Sequence, residues 1–161
     1  MAQEVERKFL LSTLPSFLDG QSFKSIRQGY IAVEAGGNEV RVRAKGKEYW
    51  LTVKSSGTLH RTEVELPISK EDFVQLWSLT GKRQIEKHRY EIEQDGKMIE
   101  VDVFKGNLNG LILAEIEFET IEEATAFQPF TWLTKEVTQH QEFKNRNLAN
   151  LDNYQSILTS L

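Results

Sequence analysis

The chain has 161 residues, enough for one domain, residues 1–161, with a real hydrophobic core. Apolar residues make up 39% and charged residues 27%, an ordinary globular balance, and a net charge of −4 excludes a protein that holds nucleic acid by overall positive charge while leaving room for a local basic pocket. There is no cysteine, hence no disulfide framework or thiolate metal site, and neither a signal peptide nor an apolar run of membrane-spanning length, so a cytoplasmic protein without membrane or nucleic-acid partners is expected.

In chain order, residues 3–10 predict a strand on which Glu4, Glu6 and Lys8 share one face while Val5 and Phe9 share the other. A single strand of this kind is most simply a solvated edge. The pattern recurs, however, in Glu39-Val40-Arg41-Val42-Arg43, Thr52-Val53-Lys54, Arg61-Thr62-Glu63-Val64-Glu65, Lys87-His88-Arg89, Glu100-Val101-Asp102 and Glu115-Ile116-Glu117. Residues 12–22, with Pro15 and Gly20, predict a connection, and 24–34 a second strand before the turn at Ala35-Gly36-Gly37-Asn38. Strands at 38–44, 47–54 and 59–66 follow, with two-residue turns expected at Lys45-Gly46 and Ser56-Gly57. That register sets Arg43 against Glu48, Arg41 against Trp50, Trp50 against Glu63 and Thr52 against Arg61, and places all the charged side chains on one face.

Ser69 is a candidate N-cap for a helix carrying Phe73, Leu76, Trp77 and Leu79 as its apolar stripe, stopped by Gly81. A hairpin at 83–93 and 97–104 turns at Asp95-Gly96, which sets Arg89 opposite Asp102 and Glu91 opposite Glu100. The last strong strand, 111–119, carries Glu115 and Glu117; Thr120 and Glu123 form a capping-box pattern for a helix near 121–127, and the tail from about 139 predicts one or two helices.

The charged face mixes Lys8, Arg41, Arg43, Lys54, Arg61, Lys87 and Arg89 with Glu4, Glu6, Glu63, Glu65, Asp102, Glu115 and Glu117. Guanidinium forks match phosphate oxygens, and grouped carboxylates suit hard divalent cations, so the face describes a polyphosphate with its metal ions. Crowded carboxylates, among them Glu91 and Glu100, are expected to repel one another in the metal-free protein. His60, His88 and His140 have no ligand spacing, and His88 falls on the apolar face. Gln28 and Tyr30 divide between packing and the charged interior, and Trp50 between packing and stacking on an organic group.

The ordered set Glu4-x-Glu6-x-Lys8, Arg41-x-Arg43, Lys54, Glu63-x-Glu65, Lys87-x-Arg89, Glu100-x-Asp102 and Glu115-x-Glu117 resembles the CYTH superfamily, the triphosphate tunnel metalloenzymes. Trp132, Glu136-Val137-Thr138 and Lys144-Asn145 are similar to the tail of its short bacterial members, whereas Gln139-His140-Gln141-Glu142-Phe143 departs from the acidic residue and Arg-Tyr pair expected there. The resemblance implies a mainly β (α+β) fold, an eight-stranded antiparallel β-barrel tunnel with a charged interior and helices outside and at the C-terminus. It implies Mg²⁺ or Mn²⁺ as cofactor, held by Glu4, Glu6 and Glu117, with Asp102, Glu115 and Glu63 or Glu65 serving a second ion. Lys8, Arg41, Arg43, Lys54, Lys87, Arg89 and Arg61 would clamp phosphate oxygens, and Lys8, Glu4, Glu6 and Glu117 would form the catalytic set. The activity implied is hydrolysis of inorganic tripolyphosphate by a monomer or homodimer. Its alternatives are a thiamine triphosphatase, a nucleoside triphosphatase, a class IV adenylyl cyclase and a non-catalytic polyphosphate-binding module.

Overall fold

The computed structural model describes residues 5–56 and 62–161, so the expected site residues Glu4 and Arg61 lie outside the described residues. Among the described residues nine strands form a single antiparallel sheet: β1 (Val5–Leu10), β2 (Lys24–Val33), β3 (Glu39–Lys45), β4 (Glu48–Lys54), β5 (Glu63–Pro67), β6 (Gln84–Gln94), β7 (Lys97–Phe104), β8 (Ile112–Phe118) and β9 (Lys135–Glu136). Their order is β5-β4-β3-β2-β6-β7-β8-β1-β9. The expected closed eight-stranded barrel is therefore an open sheet, with β5 and β9 as its edges and the two-residue β9 added beside β1.

Turn chemistry sets the register. Asp95 and Gly96 both take positive φ, +50° and +73°, as a type I′ hairpin requires, and Arg89 pairs with Asp102 and Glu91 with Glu100 as expected. The β3–β4 turn differs by one position. Gly46, at φ +60°, occupies the first central place, where a type II′ turn takes glycine, so the loop is Gly46-Lys47. Arg43 thus faces Trp50 and Arg41 faces Thr52. Between β4 and β5 the connection is longer than a two-residue turn, and Trp50 pairs with Pro67, Thr52 with Glu65 and Lys54 with Glu63. Both corrections are even-numbered slides, so every described charged side chain of β3, β4 and β5 stays on its predicted face.

Two apolar clusters cover the other face. One packs Phe9, Ile99, Val101, Ala114 and Ile116 against Leu18, Leu133 and Ala124 of α2 (Ile121–Ala126). The second packs Val42 and Ala44 beneath Phe73 of α1 (Lys70–Trp77), where Ser69 Oγ accepts from the Asp72 amide at 3.0 Å. Leu79 leaves the expected stripe: α1 ends at Trp77, a tighter turn follows at 78–80, and Leu79 is 59% exposed. His88 stacks on Phe23 at 4.0 Å on this face, a packing role.

The third cluster lies on the same face as the charges. Leu10, Tyr30, Ile85, Phe104 and Leu113 continue the faces that carry Lys8, Gln28, Lys87, Asp102 and Glu115, and they pack against Val137, Phe143, Leu148, Ala149 and Ile157 of the C-terminal tail. Within the tail, α3 (Asn145–Leu148) and α4 (Gln155–Leu158) are short helices. The tail thus occupies one end of the charged face.

Candidate active site

Asp102 is the centre of one half of the charged face. It is 2% exposed, its Oδ1 accepts from Arg89 Nε at 2.7 Å, and its Oδ2 accepts from Lys87 Nζ at 2.6 Å and Arg89 Nη2 at 2.8 Å. Arg89 Nη1 pairs in addition with Glu100. Burial works to raise the Asp102 carboxyl, but Lys87 and Arg89 overcome it and hold the group at about 2. Burial pulls Lys87 down against the attraction of Asp102, while Arg89 is raised, its hydrogen bond and charge contact with Asp102 outweighing burial.

Beside this triad, Lys8 Nζ lies 3.1 Å from Glu115 Oε1 and donates to the Phe143 carbonyl at 3.1 Å. The C-terminal tail therefore fixes the head of Lys8, and it fixes the backbone too: the Lys8 amide donates to Thr138 Oγ1 and the Val137 amide to the Lys8 carbonyl. On the opposite face Arg7 makes a two-pronged contact with Glu136, at 2.7 and 2.8 Å. Burial works to raise Glu115, yet Lys8 and Lys87 bring it below the usual carboxylate range.

For Glu91, Asp102 and Glu115 the expected repulsion is outweighed, because each of the three gains a cation. Glu91 bridges Lys45 at 2.7 Å and Lys24 at 3.2 Å and is lowered chiefly by its bond from Lys45; Asp102 and Glu115 are lowered as well. Asp102, expected to hold a second metal, has both oxygens committed to cations. Glu63, expected in the same role, sits on β5 with its carboxylate 3.7 Å from Lys54.

The β2–β3 half is different in kind. Arg43 Nε donates to the Oε1 of Gln28 at 2.8 Å, and among the described residues no carboxylate lies within ion-pair distance of it. Burial, then the nearby charges of Arg41 and Arg89, push Arg43 down to about 10. Arg41 has only a loose contact with Glu39, at 3.8 Å, and its buried Nε finds no acceptor among the described residues. The buried Arg41 therefore retains an unsatisfied donor, and the half-buried Arg43 has a neutral amide in place of a carboxylate partner.

Glu6 and Glu117 are direct cross-strand partners on β1 and β8, and both are exposed. Among the described residues no three His, Cys, Asp or Glu side chains gather into a self-sufficient metal cage. Two adjacent carboxylates nevertheless fit a small hard cation, which takes one or two protein oxygens and completes its shell with water and substrate phosphate. Sequence reasoning missed the Phe143 carbonyl, since a backbone acceptor carries no residue signal, and left Gln28 undecided although the alternation Gln28-Gly29-Tyr30 already put it on the face of Lys24 and Ile26.

The fold and this face define a class: an antiparallel β protein whose charged face sets Arg41 and Arg43, only weakly countered by carboxylates, beside the exposed carboxylates Glu6 and Glu117, a donor set suited to a polyanion and a hard cation. The chain belongs to the CYTH domain family, whose model matches residues 2–146, and membership implies a divalent metal. It is 43% identical over 148 residues to an inorganic triphosphatase of Nitrosomonas europaea, covering 91% of this chain and 96% of that protein. An inorganic triphosphatase of Acetivibrio thermocellus is 36% identical over 158 residues, 92% of this chain and 94% of the other. The crystal structure of an inorganic triphosphatase superposes with a TM-score of 0.74 at 40% identity, covering 92% of this chain and 95% of that one. A conserved hypothetical protein from Pyrococcus furiosus shares the fold, with a TM-score of 0.54 at 24% identity over 76% of this chain and 83% of that one.

Proposed function

We propose that the protein is a divalent-metal-dependent inorganic triphosphatase, hydrolysing tripolyphosphate to pyrophosphate and phosphate. The observation that carries this is the pair Arg41, buried with only a loose contact to Glu39, and Arg43, half-buried on an amide, on the face that also bears the carboxylates Glu6 and Glu117. Burying unpaired charge is costly, and a polyanion offsets that cost. The names of the relatives at 43% and 36% identity agree with this reading.

In this mechanism Arg41, Arg43 and Lys54 bind the phosphate chain from the β3–β4 side and Lys8, Lys87 and Arg89 bind it from the β1–β6 side, so that the chain bridges the two halves and the sheet acts as a tunnel; Arg61 is assigned to the same set from the sequence alone. Glu6 and Glu117, with Glu4, would hold Mg²⁺ or Mn²⁺, and Glu115 would support them; the ion supplies charge neutralisation on the phosphate oxygens and activation of a water. The water oxygen forms a bond to the terminal phosphorus, the anhydride P–O bond breaks, pyrophosphate leaves with the bonding pair, and the water's proton passes to solvent. The fixed cations stabilise charge as it moves to the leaving oxygen, and no covalent nucleophile is needed.

A second reading, an organic triphosphate, draws on Trp50, half-buried on the charged face opposite Arg43 and able to stack on a ring. Product analysis by ³¹P NMR after incubation with tripolyphosphate, ATP and thiamine triphosphate, each with Mg²⁺ and with Mn²⁺, separates the two. Fast release of phosphate from tripolyphosphate is expected; turnover of an organic triphosphate alone would shift the assignment to the second reading, and turnover of none would leave a binding module.

A further inference from the structure

Most cations of the charged face are held by carboxylates: Lys87 and Arg89 by Asp102, Lys8 by Glu115, Lys45 and Lys24 by Glu91. Arg43 is held instead by an amide. Gln28 is fully buried, with 0% exposure, and makes two bonds: its Oε1 accepts from Arg43 Nε at 2.8 Å, and its Nε2 donates to the Tyr30 hydroxyl at 2.7 Å. The amide orientation follows from chemistry, because a guanidinium can only donate and so must meet the oxygen. Tyr30 is itself buried, packed against the C-terminal tail, so the relay Tyr30–Gln28–Arg43 runs from the apolar core to the guanidinium.

A buried arginine is ordinarily stabilised by a carboxylate, and a glutamate would occupy the volume of Gln28 with the same acceptor in the same place. An amide holds the fork without cancelling its charge. We propose that Gln28 is a positioning residue for the substrate polyphosphate: it locks the Arg43 fork through Nε and leaves the remaining guanidinium nitrogens charged and open to a phosphate chain. The depressed Arg43 value, about 10, agrees with a cation left uncompensated. This inference rests on the triphosphate reading above and adds how the site keeps one of its cations unneutralised.

A purely structural Gln28 and a charge-preserving one predict opposite outcomes for Gln28→Glu. If the residue serves only to satisfy Arg43, Gln28→Glu keeps the acceptor, adds a counter-ion, and leaves ligand binding intact. If it leaves the charge of Arg43 uncancelled, Gln28→Glu matches or exceeds the wild-type Tm yet binds tripolyphosphate at least about tenfold more weakly in calorimetry with chelator present, the loss of roughly one charge-assisted contact. KM for tripolyphosphate with saturating Mg²⁺ rises in parallel, by more than kcat falls. The penalty also acts through Arg43, so adding Gln28→Glu to Arg43→Gln weakens binding no further. Wild-type affinity in Gln28→Glu, a Tm far below wild type, or an equal penalty in the Arg43→Gln background each overturns the proposal. Failure of the wild-type protein to bind tripolyphosphate would instead overturn the triphosphatase reading.

Discussion

Asp102 accepts three hydrogen bonds from two buried cations, and the charge balance of the β6–β7 half depends on it. Asp102→Asn keeps the shape but leaves the buried Lys87 without its paired carboxylate and Arg89 with Glu100 alone, a change expected to cost about 3–5 kcal/mol in urea denaturation at neutral pH. Its folded-state value of about 2 lies below the roughly 3.9 of an unfolded aspartate. The ionised group therefore contributes fully above pH ~4, and its contribution disappears as the pH falls through about 2. The stability gap between wild type and Asp102→Asn should narrow over that window, and a gap that is undiminished at pH 2 would show that the carboxylate's charge is not what matters. Glu6 and Glu117 present the opposite case, being exposed on adjacent strands. Glu6→Gln and Glu117→Gln should each lose at least about a hundredfold in tripolyphosphate turnover with an unchanged circular dichroism spectrum, the scale of losing one major electrostatic contribution. Near-wild-type kcat under saturating Mn²⁺ would remove that carboxylate from the metal site.

Elements of this fold are positioned by small side chains as much as by large ones. A Cβ at Gly29 of β2 would stand 2.7 Å from Thr80 Cγ2 and 3.0 Å from Trp77 Cζ3, so only glycine lets the end of α1 and the turn at 78–80 lie against the sheet. Gly29→Ala should lower the Tm, at a cost of about 1–3 kcal/mol for overpacking. The C-terminal tail is held by apolar burial in turn: Leu148 is fully buried among Tyr30, Leu113 and Phe143. Leu148→Ala should cost about 2–5 kcal/mol. Because the same tail supplies the carbonyl that fixes Lys8, turnover should fall along with stability; a variant that is less stable yet fully active at low temperature would separate the tail from the site.

At the scale of the whole molecule, a polyanion that bridges both halves of the sheet should be recognised by length. Tripolyphosphate should be cleaved far better than pyrophosphate, because in the proposed binding mode the longer chain meets the arginines of β3 and the carboxylates of β1 and β8 together. Equal rates would count against a bridging substrate. Since the described carboxylates form no self-sufficient cage, Mg²⁺ alone should raise the Tm little, and Mg²⁺ with tripolyphosphate should raise it by more than the sum of the separate shifts. Strictly additive shifts in a thermal melt would place the two ligands in independent sites.

Alternation along each strand determined which side chains share the charged face, because the two-residue period survives any even slide of register; Arg41, Arg43, Trp50 and Thr52 kept their face although their partners shifted. The Asp95-Gly96 turn likewise specified its hairpin, since both residues must take positive φ. The helix beginning after Ser69 was legible from its cap and stripe. What the one-dimensional pattern could not carry is which cation meets which anion across the face, for ion pairing depends on curvature and on reach over a neighbouring strand, as when Glu91 of β6 spans β2 to meet Lys45 of β3. Only the tertiary structure decided that Asp102 is spent on Lys87 and Arg89, that a backbone carbonyl of the tail steadies Lys8, and that Arg43 rests on a neutral amide. The Lys8–Phe143 contact joins segments 135 residues apart, and the contacts of Asp102 and Arg43, although made between consecutive strands, depend on side-chain reach and burial that strand alternation does not specify.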